Sequence, residues 1–251
     1  MKSPQKRLDP ASLRSRVKRL LGKVRRARGP KAKPPLGTIR LGDLERTTPF
    51  SRDFGFDRGG PVDRVYIERF LEEHSPSIRG RTLEIGDDSY TRRFGGDRTV
   101  RRDVFHVDGT RENAAFVGDL ADAPDVPSDT FDCIVLTQTL QFVWDVKGAL
   151  ATCHRILAPG GTLLLTAPGL SQLDRGEWSE SWYWAFTDRS MRRLLAEAFP
   201  GGDVAVTSYG NVYAATTFLW GMGAPEVRPE LLEARDPCYP VIVAAAARKR
   251  S

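Results

Sequence analysis

The sequence contains few of the residues that bind metals or cross-link small secreted domains. It has three histidines and three cysteines among 251 residues. The cysteines, Cys133, Cys153 and Cys238, are odd in number, form no CxxC pair and share no metal-ligand spacing. A metal site is therefore not predicted. Because the sequence has no disulfide framework, the thiols are expected to be reduced, as in a cytoplasmic protein.

Long apolar runs are missing as well. No stretch approaches the roughly 20 apolar residues that a membrane-spanning helix needs. The N-terminus carries the positive charge of a signal peptide, but it lacks an uninterrupted apolar centre. Membrane spanning and secretion are both disfavoured, and the predicted localisation is the cytoplasm.

Acidic residues are almost absent from the first 40 positions. Fourteen lysines and arginines there face a single acid, Asp9, so residues 1–40 carry +13 and residues 41–251 carry −7 of the net +6. The high sequence pI of about 9.4 therefore belongs to the N-terminal tail. The sequence predicts two parts, which are this basic tail and a folded, acidic domain of residues 41–251.

The tail has the pattern of a basic helix followed by a proline-rich linker. Its apolar residues recur at helical spacing and are Leu13, Val17, Leu20, Leu21 and Val24. A solvated, partly disordered tail is the simplest interpretation. Peripheral contact of residues 1–35 with an anionic membrane is the second, because basic and aliphatic residues are mixed. Nucleic acid is the least favoured partner, since no aromatic residue is interleaved to stack on bases.

Beyond the tail, short apolar runs alternate with helical patterns. Runs typical of strands lie near residues 81–86, 99–105, 114–117, 131–136, 162–166, 204–208 and 240–245, and helical spacing is found near residues 62–74, 146–157 and 189–199. A proline and two glycines indicate a turn at residues 158–161, directly before the fifth run. This alternation predicts an α/β domain with a parallel sheet covered on both faces.

Five segments follow the predicted strands in a distinctive order. They are Leu83-Glu84-Ile85-Gly86, an acid after the second strand, Gly118-Asp119-Leu120, Phe131-Asp132-Cys133-Ile134 and the segment HRILAPGGTL at residues 154–163. This order resembles the class I S-adenosylmethionine-dependent methyltransferases, in particular the small-molecule branch often called type 11. The resemblance implies a Rossmann-like, doubly wound sheet of about seven strands with the last strand antiparallel. It also implies S-adenosylmethionine as the cofactor.

The turn after the first strand separates two classes of cofactor. Glu84 and Gly86 match the first acid and first glycine of the family's ExGxGxG motif, whereas Asp88 and Tyr90 stand where the family has its other glycines. Asp87 and Asp88 would repel a pyrophosphate by about 1 kcal/mol or more for each close charge pair. S-adenosylmethionine carries a sulfonium and an ammonium instead, so the turn favours it over a dinucleotide.

The resemblance assigns cofactor binding to residues that follow the first four strands. They are Glu84, Ile85, Gly86, Asp88, Asp103, Asp119, Leu120, Thr137 and Gln138. Asp88 is expected to bind the cofactor's ammonium, and Asp119 its adenine amino group. Asp103 is preferred over Asp108 as the ribose-binding acid, because it lies near the end of the second predicted strand. The alternatives are a surface ion pair for Asp103 and a helix N-cap for Asp119.

No pair of residues in the sequence identifies a catalytic base. The candidates are Gln141, Asp145, Asp174, Glu177 and His106. Methyl transfer is an in-line displacement in which orientation and proximity supply much of the acceleration. A hydroxyl acceptor would still benefit from a base.

Aromatic residues are concentrated in residues 168–188, after the fifth strand, where the family builds its acceptor pocket. The predicted pocket residues are Tyr66, Trp178, Trp182, Tyr183, Trp184 and Phe186. Phe54 and Phe56 are expected to close the pocket from the N-terminal side. Aromatic rings suit a sugar or an aromatic acceptor, and the alternative is a hydrophobic cap over the sheet edge.

The resulting hypothesis is an S-adenosylmethionine-dependent methyltransferase that modifies a small molecule. The preferred acceptor is an oxygen of a sugar, a glycan precursor or a secondary metabolite. One alternative is a cofactor-binding module that has lost turnover and partners a glycan-assembly enzyme. The other, less favoured, is an RNA methyltransferase guided by the basic tail.

Overall fold

The computed structural model describes residues 34–176 and 178–251 of the chain. The chain divides into two units, Met1–Thr47 and Thr48–Ser251. In the first unit, residues 34–47 are largely exposed and contain one short 3-10 helix, Gly42–Leu44. The predicted basic helix of the tail lies outside the described residues.

The second unit is built on a seven-stranded sheet. Its strands are β1 (Gly80–Ile85), β2 (Thr99–His106), β3 (Phe116–Val117), β4 (Phe131–Thr137), β5 (Leu157–Pro168), β6 (Asp203–Tyr209) and β7 (Ile242–Arg248). Their order across the sheet is β3-β2-β1-β4-β5-β7-β6. β7 runs antiparallel to both of its neighbours, whereas the other pairings are parallel. The predicted mixed, Rossmann-like sheet is confirmed.

Helices cover both faces of this sheet. Those in the described residues are α1 (Arg64–Glu73), α2 (Val146–Ile156), α3 (Asp188–Ala198), α4 (Val212–Leu219) and α5 (Pro229–Leu232). In β4, Ile134 and Leu136 pack in the core layer that contains α2 and α3. Cys133 and Val135 pack in the layer that contains α1 and α4. A strand buried on both faces reads as a continuous apolar run, and the sequence of β4 does so for this reason.

The fifth strand differs from the prediction at its start. β5 begins at Leu157 and therefore includes residues 158–161, which were predicted to be a turn. Gly160 has a positive φ of 76°, and its N–H donates to the carbonyl of Lys249 at 3.1 Å. The pairing of β4 with β5 shifts register between Phe131 and Cys133. The proline and glycines thus form an irregularity within the ladder rather than ending it.

Within residues 34–176 and 178–251, no helix combines the length and the apolar composition needed to cross a bilayer. Cys133 and Cys153 are buried free thiols, and Cys238 is an exposed one.

Candidate active site

A cavity of about 700 Å³ opens at the carboxyl ends of β1, β2 and β4. β1 has β2 on one side and β4 on the other, so the chain changes direction across the sheet at this point. Open α/β sheets bind ligands in the crevice at such a switch point. One half of the cavity is lined by the strand ends, with residues 84–87, 105–107, 118–120 and 137–139.

Glu84 fixes the turn that follows β1. Its side chain is buried, and its two carboxylate oxygens accept hydrogen bonds from the backbone N–H groups of Tyr90, at 3.1 Å, and Thr91, at 2.7 Å. Burial raises the pKa of Glu84 to about 7, although the two N–H groups act in the opposite direction. Glu84 therefore ties β1 to the π-helical turn Thr91–Gly95.

Gly86 keeps the floor of this half open. Its φ of 94° is a conformation that residues with a side chain rarely adopt. A Cβ added at this position would meet no atom within 4 Å. Asp87 follows on the cavity wall and accepts a hydrogen bond from the N–H of Ser89 at 2.8 Å. Burial opposes its ionisation, but the bonds from Ser89 prevail and lower the pKa of Asp87.

Asp119 and Gln138 occupy the ends of β3 and β4. Asp119 lines the cavity, and its Oδ1 accepts from the N–H of Ala121 at 2.9 Å. Gln138 also lines the cavity and has a positive φ of 48°. A non-glycine residue in this conformation is uncommon and carries backbone strain, which tends to cluster at functional sites.

The other half of the cavity is aromatic. The rings of Phe54 and Trp182 stack at a centroid distance of 5.9 Å, and those of Phe142 and Trp178 stack at 4.9 Å. Phe142 also meets Trp182 edge to face at 5.2 Å. All four residues line the cavity. Such a wall favours a flat or ring-shaped ligand.

A family model described as a methyltransferase domain matches residues 52–199. This chain belongs to that methyltransferase family. The matched residues run from the loop before α1 to the end of α3, so they include both halves of the cavity.

Two solved structures share the methyltransferase fold. The S-adenosylmethionine-dependent methyltransferase from Mesorhizobium loti is 16% identical, with a TM-score of 0.51 over 76% of this chain and 99% of that one. The corresponding enzyme from Archaeoglobus fulgidus is 11% identical, with a TM-score of 0.50 over 74% and 94%.

A curated relative matches over a shorter segment. The ubiquinone/menaquinone biosynthesis C-methyltransferase UbiE of Marinomonas sp. (strain MWYL1) is 44% identical over 66 residues, which are 26% of each chain. The match thus spans about a quarter of that relative's length.

The cavity fits the cofactor of the methyltransferase, S-adenosylmethionine. Gly86 leaves open space beside its backbone, and the carboxylate of Asp87 lies directly beyond it. An acid there suits an ammonium or sulfonium and would repel a pyrophosphate. Asp119, Leu120 and Thr137 complete the wall that would hold the cofactor. When bound, S-adenosylmethionine supplies an electrophilic methyl group on a positively charged sulfur.

The structure corrects the predicted role of Asp88. Its carboxylate forms an ion pair with Arg92 at 2.6 Å and is not among the residues that line the cavity. The neighbouring Asp87 lines it instead.

The structure also corrects the predicted role of Asp103. Its buried carboxylate pairs with Arg81 at 2.7 Å and with Arg101 at 2.8 Å, and it does not line the cavity. Asp103 lies three residues before the end of β2 at His106. At about 3.3 Å per residue, this places it about 10 Å from the strand end. Asp108, the alternative by spacing, follows His106 and Val107, which do line the cavity.

The candidates for a catalytic base differ in position. Asp145 caps α2 by accepting from the N–H of Gly148 and does not line the cavity. Asp174 lines the cavity, but its oxygens accept from the N–H groups of Trp178 and Gly176, which lower its pKa. His106 lines the cavity and contacts Asp108 at 3.1 Å.

Gln141 also lines the cavity, and Glu177 lies outside the described residues. Among the described residues, no cluster of His, Cys, Asp and Glu side chains has the arrangement of a metal site.

Three predicted acceptor residues lie outside the cavity lining. Tyr66 is fully buried and donates its hydroxyl to the carbonyl of Leu232 at 3.1 Å. Phe186 belongs to the core layer under the sheet. Trp184 stacks on Trp144 at 5.3 Å and donates its indole N–H to the carbonyl of Val143. Trp178, Trp182 and Tyr183 line the cavity, together with Phe54 and Phe56.

Sequence reasoning missed Asp63, Arg64, Phe142 and Phe218 as residues of the cavity. Asp63 stands at the first turn of a helix, where aspartate is common as a cap and attracts no attention. Phe142 follows β4 within an apolar segment that reads as core. A structural role explains each position, since Asp63 reads as a helix cap and Phe142 as a core residue. No signal in the sequence therefore identifies either as a cavity residue.

Proposed function

We propose that this methyltransferase transfers the methyl group of S-adenosylmethionine to a hydroxyl oxygen of a small, ring-bearing molecule. A sugar, a glycan precursor or a phenolic secondary metabolite has this chemistry. The carrying observation is the single cavity in which the cofactor half at the strand ends is continuous with the aromatic half formed by Phe54, Phe142, Trp178 and Trp182. Its volume suits two small ligands held side by side.

A ring carbon is the second candidate for the methylated atom. The curated relative that matches over 66 residues is named a C-methyltransferase. Aromatic carbons beside a hydroxyl are nucleophilic, and they would use the same flat pocket. Transfer of a carbon-13 methyl group from labelled cofactor distinguishes the two products, because methyl ethers and C-methyl groups have different carbon chemical shifts.

Cofactor binding provides the first test. Calorimetric titration with S-adenosylmethionine and S-adenosylhomocysteine is expected to give binding at micromolar concentrations. Asp119→Ala should weaken it about 10- to 100-fold, because a polar partner for the ligand is lost from the cavity wall. Asp145→Ala removes a helix cap of the same residue type outside the cavity and should leave the affinity unchanged. Absence of binding at high micromolar concentration would contradict the proposed function, and binding without transfer would favour the cofactor-binding module.

The aromatic half makes a separate prediction. Trp182→Ala should lower kcat/KM for a ring-bearing acceptor by about 10-fold or more, because its ring contacts both Phe54 and Phe142 in the cavity. Cofactor affinity should not change. Trp220→Ala is the matched control, since this ring packs against Phe50 and neither residue lines the cavity. Equal losses in the two variants would refute the assignment of the acceptor half.

A further inference from the structure

Asp63 lines the cavity and stands at the N-cap position of α1, but its side chain does not cap the helix. It directly precedes α1, and its backbone carbonyl accepts from the N–H groups of Tyr66 and Ile67. An aspartate at this position ordinarily caps the helix with its side chain. Here the side chain makes no capping hydrogen bond, and its Oδ1 is shielded from solvent and has no hydrogen-bond partner.

A second unpartnered acceptor belongs to the same cavity. Gln141 is 2% exposed, and its Nε2 donates to the carbonyl of Gln138 at 2.9 Å, which leaves its Oε1 without a partner. Buried acceptors in folded proteins are nearly always satisfied, because their desolvation is costly. Asp63 and Gln141 both line the cavity, so a side-chain adjustment of either would offer its unpartnered oxygen to a ligand that brings hydrogen-bond donors. Hydroxyl groups are donors of this kind.

We propose that Asp63 is the general base of the reaction and takes the proton of the acceptor hydroxyl. The inference rests on the proposed function. As the O–H bond breaks, its proton passes to the Asp63 carboxylate, and an oxygen lone pair forms the new bond to the methyl carbon. The methyl–sulfur bond breaks, and its electron pair stays on sulfur. The products are a methyl ether, a neutral thioether and a protonated Asp63, which returns its proton to solvent.

The electrostatic surroundings of Asp63 suit this role. Burial raises the pKa of Asp63 to about 6, although the backbone N–H groups of Arg64 and Asp63 and the charge of Arg64 act in the opposite direction. Tyr90, on the turn after β1, interacts electrostatically with both residues. A carboxylate with this pKa is ionised at neutral pH and accepts a proton more readily than an ordinary aspartate. The other titratable groups on the facing walls include Glu84, Asp87, His106 and Asp174.

A binding experiment tests the contact without turnover. The probes are 2-naphthol and 2-methoxynaphthalene, which differ in the hydroxyl proton, titrated by fluorescence against the full chain with S-adenosylhomocysteine present. The wild type should prefer 2-naphthol by about 10-fold or more, and Asp63→Leu should nearly abolish the preference. Asp145→Asn, outside the cavity, should retain it. Equal binding of the two probes by the wild type, or an unchanged preference in Asp63→Leu, would overturn the proposal.

A second variant separates proton transfer from hydrogen bonding. Asp63→Asn keeps an oxygen that can accept a hydrogen bond but cannot take up a proton. For methylation of 2-naphthol, kcat should fall by about 100-fold or more while KM and S-adenosylhomocysteine affinity change little. Wild-type kcat should rise with pH to a plateau above about pH 6, as Asp63 ionises, and the variant should lack this rise.

The outcomes distinguish this proposal from the proposed function. A variant that keeps wild-type kcat, or keeps the rise with pH, would show that Asp63 is not the base and that another cavity group such as Glu84 titrates. Failure of the wild type to bind the cofactor would remove the proposed function. The probe-binding experiment does not depend on turnover. If the cofactor is not bound, or if 2-naphthol is bound but not methylated, the preference for 2-naphthol and its loss in Asp63→Leu still decide whether Asp63 contacts a hydroxyl donor.

Discussion

Gly86→Val is expected to reduce the affinity for S-adenosylmethionine and S-adenosylhomocysteine at least about 100-fold, which corresponds to about 3 kcal/mol. Two effects act together. A β-branched residue strains a backbone whose φ is 94°. In addition, a Cβ at this position would meet no protein atom within 4 Å, so the new side chain projects into the space assigned to the cofactor.

Gly160→Val separates the two effects. Gly160 has a similar φ of 76°, and an added Cβ would make only ordinary contacts with Ser251, at 3.5 Å, and Arg248, at 3.6 Å. It lies in β5, away from the cavity. Both variants should lose about 1–3 kcal/mol of unfolding free energy through backbone strain. Calorimetry should show the affinity loss in Gly86→Val alone, and an equal loss in both would mean that strain, not occupancy, is responsible.

Glu84→Ala is expected to lower the free energy of unfolding by about 2–5 kcal/mol at pH 5. The substitution deprives the N–H groups of Tyr90 and Thr91 of their acceptor inside the protein. Glu68→Ala is the comparison, because the Glu68 carboxylate pairs with the exposed Arg93 at 2.8 Å. It should cost less than about 1 kcal/mol. Urea unfolding of the three proteins measures the difference.

The loss of unfolding free energy in Glu84→Ala should be largest at low pH, whereas for an acid whose pKa is lowered by folding it is largest at high pH. The folded pKa of Glu84 is about 7, above its ordinary value of 4.5, because the side chain is buried. The folded state therefore holds this proton more tightly than the unfolded state does. The associated stability is complete below about pH 4.5 and is lost as the pH rises through 7.

The difference between wild type and Glu84→Ala should accordingly shrink by up to about 3 kcal/mol between pH 5 and pH 8. Asp63, whose pKa is also raised by burial, titrates in both proteins and cancels from the difference. A difference that grows with pH would contradict the assignment. It would mean that hydrogen bonds to the ionised carboxylate outweigh its burial.

The sequence by itself determined the fold and the cofactor class. Strands buried on both faces must be apolar along their length, so β4 and the apolar part of β5 were visible as continuous runs. Ligands of such sheets gather at the carboxyl ends of the strands. Glu84, Gly86, Asp119, Thr137 and Gln138 were therefore predictable as residues of the site from their place in the chain, and all of them line the cavity.

Only the tertiary structure decided which side chains line the cavity. Asp103 was assigned to the site because it lies near a strand end, but Arg81 approaches it from the adjacent strand β1 and takes its carboxylate. Asp88 pairs with Arg92, four residues further along the chain, once the turn after β1 brings the two side chains together. The local sequence determines where a strand or helix begins and ends. The ion-pair partner of Asp103 depends instead on which strand packs beside β2.

Asp63 is the converse case, because nothing in the sequence marks it as a site residue but the structure places it in the cavity lining. In the sequence it is an aspartate at the start of a helix, which a cap explains. In the structure Asp63 lines a cavity whose other walls come from β1, from the residues after β4 and from the aromatic segment around Trp182, and its Oδ1 is buried without a partner. Whether a buried oxygen lacks a hydrogen-bond donor depends on all the residues around it, so only the folded structure reveals that Asp63 Oδ1 has no partner.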